Sequence, residues 1–149
     1  MWRWFCSASL VIFILDRASK HFVITHMALA ETIPIIKGFF HITYVKNPGA
    51  AFGLLQDKKW FFIFVTMVIL LVIIYLVITL GRQNVLLSLT LGLIAGGAAG
   101  NLVDRLQSGL VIDFLDFRGI WPYVFNIADS ALVAGVFLLA VQILRMEKA

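Results

Sequence analysis

Long apolar runs, separated by short clusters of charged residues, dominate this sequence. The clearest run covers residues 60–80, contains no charged residue, and is flanked by Lys59 on one side and Arg82 on the other. A helix needs about 20 apolar residues to cross the hydrocarbon core of a bilayer. This run therefore predicts a transmembrane helix, and runs of similar length at 85–103 and 123–144 predict two more.

The first apolar run, residues 4–15, is shorter and is followed by a charged segment that starts at Asp16. A cleaved secretory signal peptide is one interpretation, because Arg3 precedes an apolar core. No small-x-small cleavage pattern follows that core, however, and Asp16 and Arg17 interrupt it. The favoured interpretation is a fourth span that reaches to about residue 24.

The composition indicates an integral membrane protein with a single domain. Of the 149 residues, 62% are hydrophobic and only 13% are charged, a balance that soluble domains of this size do not show. The formal charge of +4 comes from residues scattered at the ends of apolar runs, which argues against a nucleic-acid partner. Cys6 is the only cysteine and the three histidines lack metal-site spacing, so neither an internal disulfide nor a metal is expected. The predicted fold class is mainly α, with four transmembrane helices at about 4–24, 60–80, 85–103 and 123–144.

The segment 25–59, between the first two spans, is predicted to form a small extramembrane platform. Residues 39–45 are rich in aromatic and β-branched side chains, which favours a strand. Asn47-Pro48-Gly49 is a turn signal, and residues 50–55 are small and apolar, as expected for a mobile flap. In the loop before the last span, several apolar side chains are expected at the membrane interface: Ile112, Phe114, Leu115, Phe117, Ile120 and Trp121.

The four-span topology places unusual polar residues on one face of the membrane. The ends of the first and third spans, the loops that follow them and the start of the fourth span share that face. They carry Asp16, Lys20, Asn47, Asn101, Arg105, Asp113, Asn126 and Asp129. The same face also carries more Lys and Arg than the other, which by the positive-inside rule would make it cytoplasmic. Several of these residues are candidates for function rather than orientation, so charge alone leaves the side open.

Asp113 and Asp129 are the candidate catalytic pair. An ionisable residue at membrane depth is costly and marks a candidate functional site. Two carboxylates within a few ångströms share a proton, and such a pair can activate water and protonate a leaving amine. Alternatives remain open at this point: Asp113 as a solvated loop residue, Asp129 as a partner of Lys20 or Arg105, and Asp116 as a rival for Asp113.

Helical spacing points to further pairs of side chains. Asp16 and Lys20 stand at i and i+4, where they form either a buried ion pair or a snorkelling pair that ends the span. Asn101 and Arg105 repeat this spacing, and Arg105 is a candidate to hold a carboxylate or a lipid phosphate, or is simply a helix-ending charge. A stripe of small residues predicts close helix packing through Gly92, Gly96 and Gly100.

Five short motifs occur in order along nearly the whole chain. They are Asp16-x-x-x-Lys20, Asn47-Pro48-Gly49-Ala50-Ala51-Phe52, Gly97-x-x-x-Asn101-Leu-Val-Asp104-Arg105, Val111-Ile112-Asp113-Phe114 and Phe125-Asn126-Ile127-Ala128-Asp129. Together they resemble the lipoprotein signal peptidase (signal peptidase II) family. The resemblance implies a bacterial inner-membrane aspartyl endopeptidase, which removes the signal peptide of a prolipoprotein just before a cysteine that carries diacylglycerol. It implies that Asp113 and Asp129 are catalytic and that other residues shape or line the site: Asp16, Lys20, Asn47, Gly97, Asn101, Arg105, Asn126 and Ala128.

The resemblance also implies an orientation and a set of partners. The site would face the periplasm or outer face, and both termini would be cytoplasmic. Lipidated prolipoproteins and membrane lipid are the expected partners, without a metal, an organic cofactor or an obligate protein partner. Two other classes of function make different predictions. A small ion transporter predicts polar residues at the midplane of several spans, and a non-enzymatic scaffold predicts dependence on residues 39–55 rather than on the aspartates.

Overall fold

The computed structural model describes residues 2–49, 58–80 and 84–146. Within these ranges the chain forms four helices and four strands. The helices are α1 (Trp2–His26), α2 (Lys59–Thr79), α3 (Val85–Ser108) and α4 (Ile127–Met146), and the strands are β1 (Thr32–Ile36), β2 (Phe40–Asn47), β3 (Val111–Phe117) and β4 (Val124–Phe125). The expected flap at 50–55 lies outside the described residues.

Three of these helices are long and apolar enough to cross a membrane, judged by length and composition: α2, α3 and residues Ile127–Arg145 of α4. Helix α1 has 25 residues, but charged side chains interrupt its apolar sequence, among them Asp16 and Lys20. The mainly helical architecture is confirmed, and the fourth span stays a prediction. Helix α4 begins four residues later than the predicted span, and α3 continues beyond its predicted end to Ser108.

Helix α3 is the centre of the helical packing, because α1, α2 and α4 all pack against it. Its glycines allow close approach on two sides. A Cβ built on Gly92 would lie 2.6 Å from the backbone oxygen of Phe5 in α1, and one on Gly97 would lie 2.5 Å from the backbone oxygen of Ala128 in α4. The glycine stripe therefore packs α3 against α1, as its spacing indicates, and Gly97 brings α3 against the start of α4.

The four strands form one antiparallel sheet in the order β1-β2-β3-β4. Strand β2 includes residues 40–45 of the segment predicted as a strand, 39–45, and continues to Asn47. Strands β3 and β4 lie in the loop between α3 and α4, for which no strand is predicted. In the β2–β3 register, Val45 is opposite Asp113 and Asn47 is opposite Val111. The platform is thus built from both loops, and Asp113 lies on a strand.

Two apolar residues expected at the membrane interface are instead buried inside the protein. Ile112 and Phe114 pack with Val23, Met27 and Tyr44 in a cluster that joins the sheet to α1. The prediction is wrong for these two because residues 112 and 114 share one face of β3, and that face is turned toward the protein core. Ile120 and Trp121, which follow β3, are exposed, as an interfacial position requires.

We expect Gly96→Ala to weaken the packing of α1 on α3. A Cβ at this position would lie 2.5 Å from the backbone oxygen of Ser9 and 2.9 Å from Cβ of Ile12, so the two helices must separate. Overpacking of this kind costs about 1–3 kcal/mol. The measurement is thermal unfolding of the purified protein in detergent. Ala134→Leu, which adds a larger side chain on an exposed face of α4, is the control; an equal loss of stability in both variants would contradict the prediction.

Candidate active site

Asp113 is buried at the centre of the platform and is held by two amide groups. Its side chain is on β3, and only 2% of the residue is exposed. Asn126 Nδ2 donates to Asp113 Oδ1 over 2.7 Å, and Asn47 Nδ2 donates to Asp113 Oδ2 over 3.0 Å. The strand register explains the second contact: Asn47 is opposite Val111, which lies on the same face of β3 as Asp113. The solvated-loop interpretation of Asp113 is therefore wrong.

Asp129 lies in the first turn of α4, where its carboxylate also caps the helix. The backbone N–H of Asp129 donates to Asn126 Oδ1 over 2.8 Å, and the backbone N–H of Asn126 donates to Asp129 Oδ2 over 3.3 Å. This reciprocal pair is the hydrogen-bond pattern of a capping box, here with Asn and Asp in place of Ser or Thr and Glu. The other oxygen, Asp129 Oδ1, accepts from Asn101 Nδ2 over 2.7 Å.

Asn126 is the one described residue that hydrogen-bonds to both aspartates. Its side-chain amide donates to Asp113, while its backbone N–H and its side-chain oxygen bond to Asp129. The same Nδ2 also lies 3.1 Å from the carbonyl oxygen of Ile112. Asn126 itself is fully buried. Both aspartates are therefore hydrogen-bonded to the same buried asparagine.

Burial and the negative charge of Asp129 raise the pKa of Asp113 from 3.8 to about 7, even though hydrogen bonds from Asn47 and Asn126 act to lower it. Asp116, the rival for Asp113, behaves differently. Although partial burial raises its pKa, hydrogen bonds from Thr43 and Arg118 outweigh that effect and leave the value below 3.8. Within the described part of the chain, Asp116 makes no hydrogen bond to Asp129. The geometry therefore favours Asp113 over Asp116.

Asp16 and Lys20 form a buried ion pair. Both side chains are fully buried, and Lys20 Nζ lies 2.9 Å from Asp16 Oδ2. Lys20 also lies 2.8 Å from Asp104 Oδ2 and donates to Asn101 Oδ1 over 2.9 Å. The snorkelling interpretation is wrong, because packing of α1 against α3 and α4 encloses the pair in protein. Lys20 thus contacts two side chains of α3 as well as Asp16 of its own helix.

The remaining predicted site residues occupy the edges of this cluster. Ala128 directly precedes Asp129 and donates its backbone N–H to Asp16 Oδ1 over 3.1 Å, and Gly97 packs on Ala128 as described. The guanidinium of Arg105 lies 4.9 Å from the ring centroid of Phe62 in α2. Among the described residues no carboxylate forms an ion pair with Arg105, so the expected clamp on a protein carboxylate is not observed there.

Sequence spacing did not identify Asp104 and Arg17 as part of this cluster. Asp104 accepts from Arg17 through Oδ1, and its Oδ2 accepts from the backbone N–H of Ile112 over 3.3 Å. The only sequence signal was the position of Asp104 beside Arg105 in a motif. As for metals, no group of His, Cys, Asp and Glu side chains that could hold an ion occurs among the described residues.

Comparisons with known proteins agree with this architecture. The family model described as signal peptidase (SPase) II matches residues 8–145. A lipoprotein signal peptidase of Desulfitobacterium hafniense is 50% identical over 138 residues, covering 93% of this chain and 91% of that protein. One from Brevibacillus brevis is 43% identical over 140 residues, covering 94% of each. A solved bacterial membrane enzyme, determined by the in meso method at 2.3 Å resolution, superposes with a TM-score of 0.88 at 34% identity and covers 93% of this chain and 85% of its own. The chain therefore belongs to the signal peptidase II family, a family of peptidases.

Proposed function

We propose that this protein is a membrane aspartyl endopeptidase that removes signal peptides from diacylglyceryl-modified prolipoproteins. The observation that carries the proposal is the placement of Asp113 and Asp129, two buried carboxylates hydrogen-bonded to the same asparagine. Membership of the signal peptidase II family supports the reaction class. Relatives that are about half identical over most of this chain bear the name lipoprotein signal peptidase, which supports the substrate class.

The two aspartates divide the proton transfers of peptide hydrolysis. Asp113, with its pKa near 7, carries the shared proton at neutral pH and donates a hydrogen bond to the carbonyl oxygen of the scissile bond. The ionised Asp129 removes a proton from the attacking water, and the water oxygen bonds to the carbonyl carbon. Asp129 then gives that proton to the leaving nitrogen, and the C–N bond breaks. Asp113 keeps its own proton, so the pair ends the cycle as it began.

The proposed membrane arrangement is the one that the family resemblance implies. All four helices cross the inner membrane, so that both termini are cytoplasmic and the platform lies at the periplasmic or outer face. The acyl chains of the substrate remain in the bilayer beside the helices, while the bond before the lipidated cysteine reaches Asp113 and Asp129 at the interface. In this proposal, peptide carbonyls and the lipid ester are bound by Asn47, Asn101, Asn126 and Arg105. The whole chain acts as one membrane domain, and the reaction needs no cofactor.

Either Asp113→Asn or Asp129→Asn is expected to lower kcat for a lipidated precursor by at least about a hundredfold, because an amide cannot transfer a proton. Turnover is measured with a purified diacylglyceryl-modified precursor in detergent or liposomes. Asp116→Asn is the matched control: this aspartate is on the same strand but bonds to Thr43 and Arg118, so we expect most activity to remain. Near-normal turnover in Asp113→Asn or Asp129→Asn would contradict the catalytic pair and favour a non-enzymatic scaffold.

The pH dependence tests the proton on Asp113. Because its pKa is raised to about 7, the protonated form persists up to neutral pH and is lost as the pH rises through that value. We therefore expect kcat/KM to fall on the alkaline side with an apparent midpoint near 7. Asn47→Ala removes a hydrogen bond that lowers this pKa, so its midpoint is expected at higher pH. A profile that stays level between about pH 6 and pH 9, a range chosen to bracket that pKa, would show that the rate does not depend on this proton.

Dependence on the lipid tests the substrate class. If the acyl chains hold the precursor in the bilayer, a precursor with an unmodified cysteine is expected to be cut at least about tenfold more slowly at equal concentration, through a higher KM. Both forms of one precursor are assayed side by side, and mass spectrometry locates the cleaved bond. Equal rates for the two forms would restrict the proposal to a peptidase that does not recognise lipid.

A further inference from the structure

We propose that Lys20 is a positioning residue that sets the separation of Asp113 and Asp129 through two carboxylates that it bridges, Asp16 and Asp104. The inference rests on the proposed function, since it concerns how the same pair is held. It gives Asp104 a role that the motif containing it does not reveal.

The two bridged carboxylates bond to equivalent positions in the backbone. Asp16 Oδ1 accepts from the N–H of Ala128, the residue directly before Asp129. Asp104 Oδ2 accepts from the N–H of Ile112, the residue directly before Asp113. Each candidate catalytic aspartate is therefore held one residue upstream by another aspartate, one from α1 and one from α3.

Lys20 joins these two contacts into one unit. An ammonium group has three N–H donors, and three oxygens lie within hydrogen-bond distance of Lys20 Nζ: Asp16 Oδ2 at 2.9 Å, Asp104 Oδ2 at 2.8 Å and Asn101 Oδ1 at 2.9 Å. The side chains of Lys20 and Asp16 are fully buried, and that of Asp104 is 3% exposed. Water therefore does not compete for these contacts, and the geometry of the bridge is transmitted to the backbone on both sides.

The contact between Lys20 and Asn101 also orients the side-chain amide of Asn101. Since Lys20 has only donors, it fixes the carbonyl oxygen of the Asn101 amide on its own side. The amide nitrogen must then face away from Lys20, and it donates to Asp129 Oδ1 over 2.7 Å. Asn126 Nδ2 donates to the same Asn101 Oδ1 over 3.2 Å, so Lys20 supplies the shorter of two contacts that hold the oxygen on this side. Lys20 and Asn126 together thus keep a donor, rather than an acceptor, facing the Asp129 carboxylate.

The test is a double variant that removes one charge of each sign, Asp16→Asn with Lys20→Met. Removing a buried ion pair as a unit avoids leaving one buried charge without a partner. Small misplacements of reacting groups lower rates strongly, so we expect kcat to fall about tenfold or more while KM stays within about twofold. Because an unfolded fraction also lowers the apparent kcat at unchanged KM, kcat is expressed per folded protein, quantified by size-exclusion chromatography. The alkaline midpoint of kcat/KM is measured as well: a changed separation of the two aspartates shifts that midpoint, whereas a smaller folded fraction does not.

A control for stability is Gln142→Leu, which breaks a buried hydrogen bond of 2.8 Å between Gln142 and Thr90, linking α4 to α3 away from the site. It is expected to lower the unfolding temperature and to leave kcat unchanged.

If the double variant does not fold, Asp104→Asn tests the positioning role instead, because in this variant Lys20 keeps its charged partner Asp16 and the side-chain size is preserved. We expect Asp104→Asn to lower kcat about threefold or more, again with KM unchanged.

The outcomes separate this inference from the proposed function. A wild-type kcat in the folded double variant overturns the positioning role. If the double variant does not fold, a wild-type kcat in Asp104→Asn overturns it instead. In either case, an inactive Asp113→Asn leaves the peptidase proposal in place. An active Asp113→Asn overturns the peptidase proposal itself. A selective fall in kcat in either positioning variant, with Gln142→Leu unaffected in kcat, supports the inference.

Discussion

The arrangement of the site depends on one buried ammonium group, that of Lys20, which lies within 2.9 Å of three protein oxygens. A buried charge is tolerated when protein groups replace the water around it, and for Lys20 these groups are Asp16, Asp104 and Asn101. Each of these three acceptors also bonds to something beyond Lys20, either a backbone N–H or the Asp129 carboxylate. The contacts of this one ammonium group and of its three partners therefore link α1, α3, α4 and β3 at the same end of the bundle.

The groups that touch the two aspartates are mostly neutral amides, and their chemistry suits the proposed proton sharing. A cation in direct contact with Asp113 would stabilise its ionised form and lower its pKa strongly. Asn47 and Asn126 instead fix the orientation of the carboxyl group, and burial together with the charge of Asp129 still prevails. The cations Lys20 and Arg17 contact the supporting carboxylates Asp16 and Asp104. Charge compensation and proton retention are therefore assigned to different residues.

Local patterns predicted much of this molecule. The apolar runs predicted three membrane-length helices, and the glycine spacing predicted the packing of α3 on α1. The sequence also brought Asp113, Asp129 and the three asparagines into one predicted site, because their motifs and the span topology point to one face. The structure places these five side chains in one hydrogen-bonded group.

Contacts between distant parts of the chain were not predictable in the same way. Four of the seven residues of strand β3 are β-branched or aromatic, which favours a strand, but such residues also suit a membrane interface. Pairing with the distant strand β2 decides between the two. The ion pair of Arg17 with Asp104 joins residues 87 positions apart, so no local spacing reveals it. Arg105 is a candidate to hold a carboxylate or a lipid phosphate, and the contact of its guanidinium with Phe62 of another helix is one that its own spacing does not predict.

The capping box at the start of α4 has a mechanical consequence. Asp129 and Asn126 close the first turn of the helix with reciprocal hydrogen bonds, and the same asparagine holds Asp113. Any motion that draws the two carboxylates apart must therefore break the hydrogen bond between Asn126 and Asp113 or open the first turn of α4. The side chain that orients Asp113 is thus itself fixed by the helix that carries Asp129.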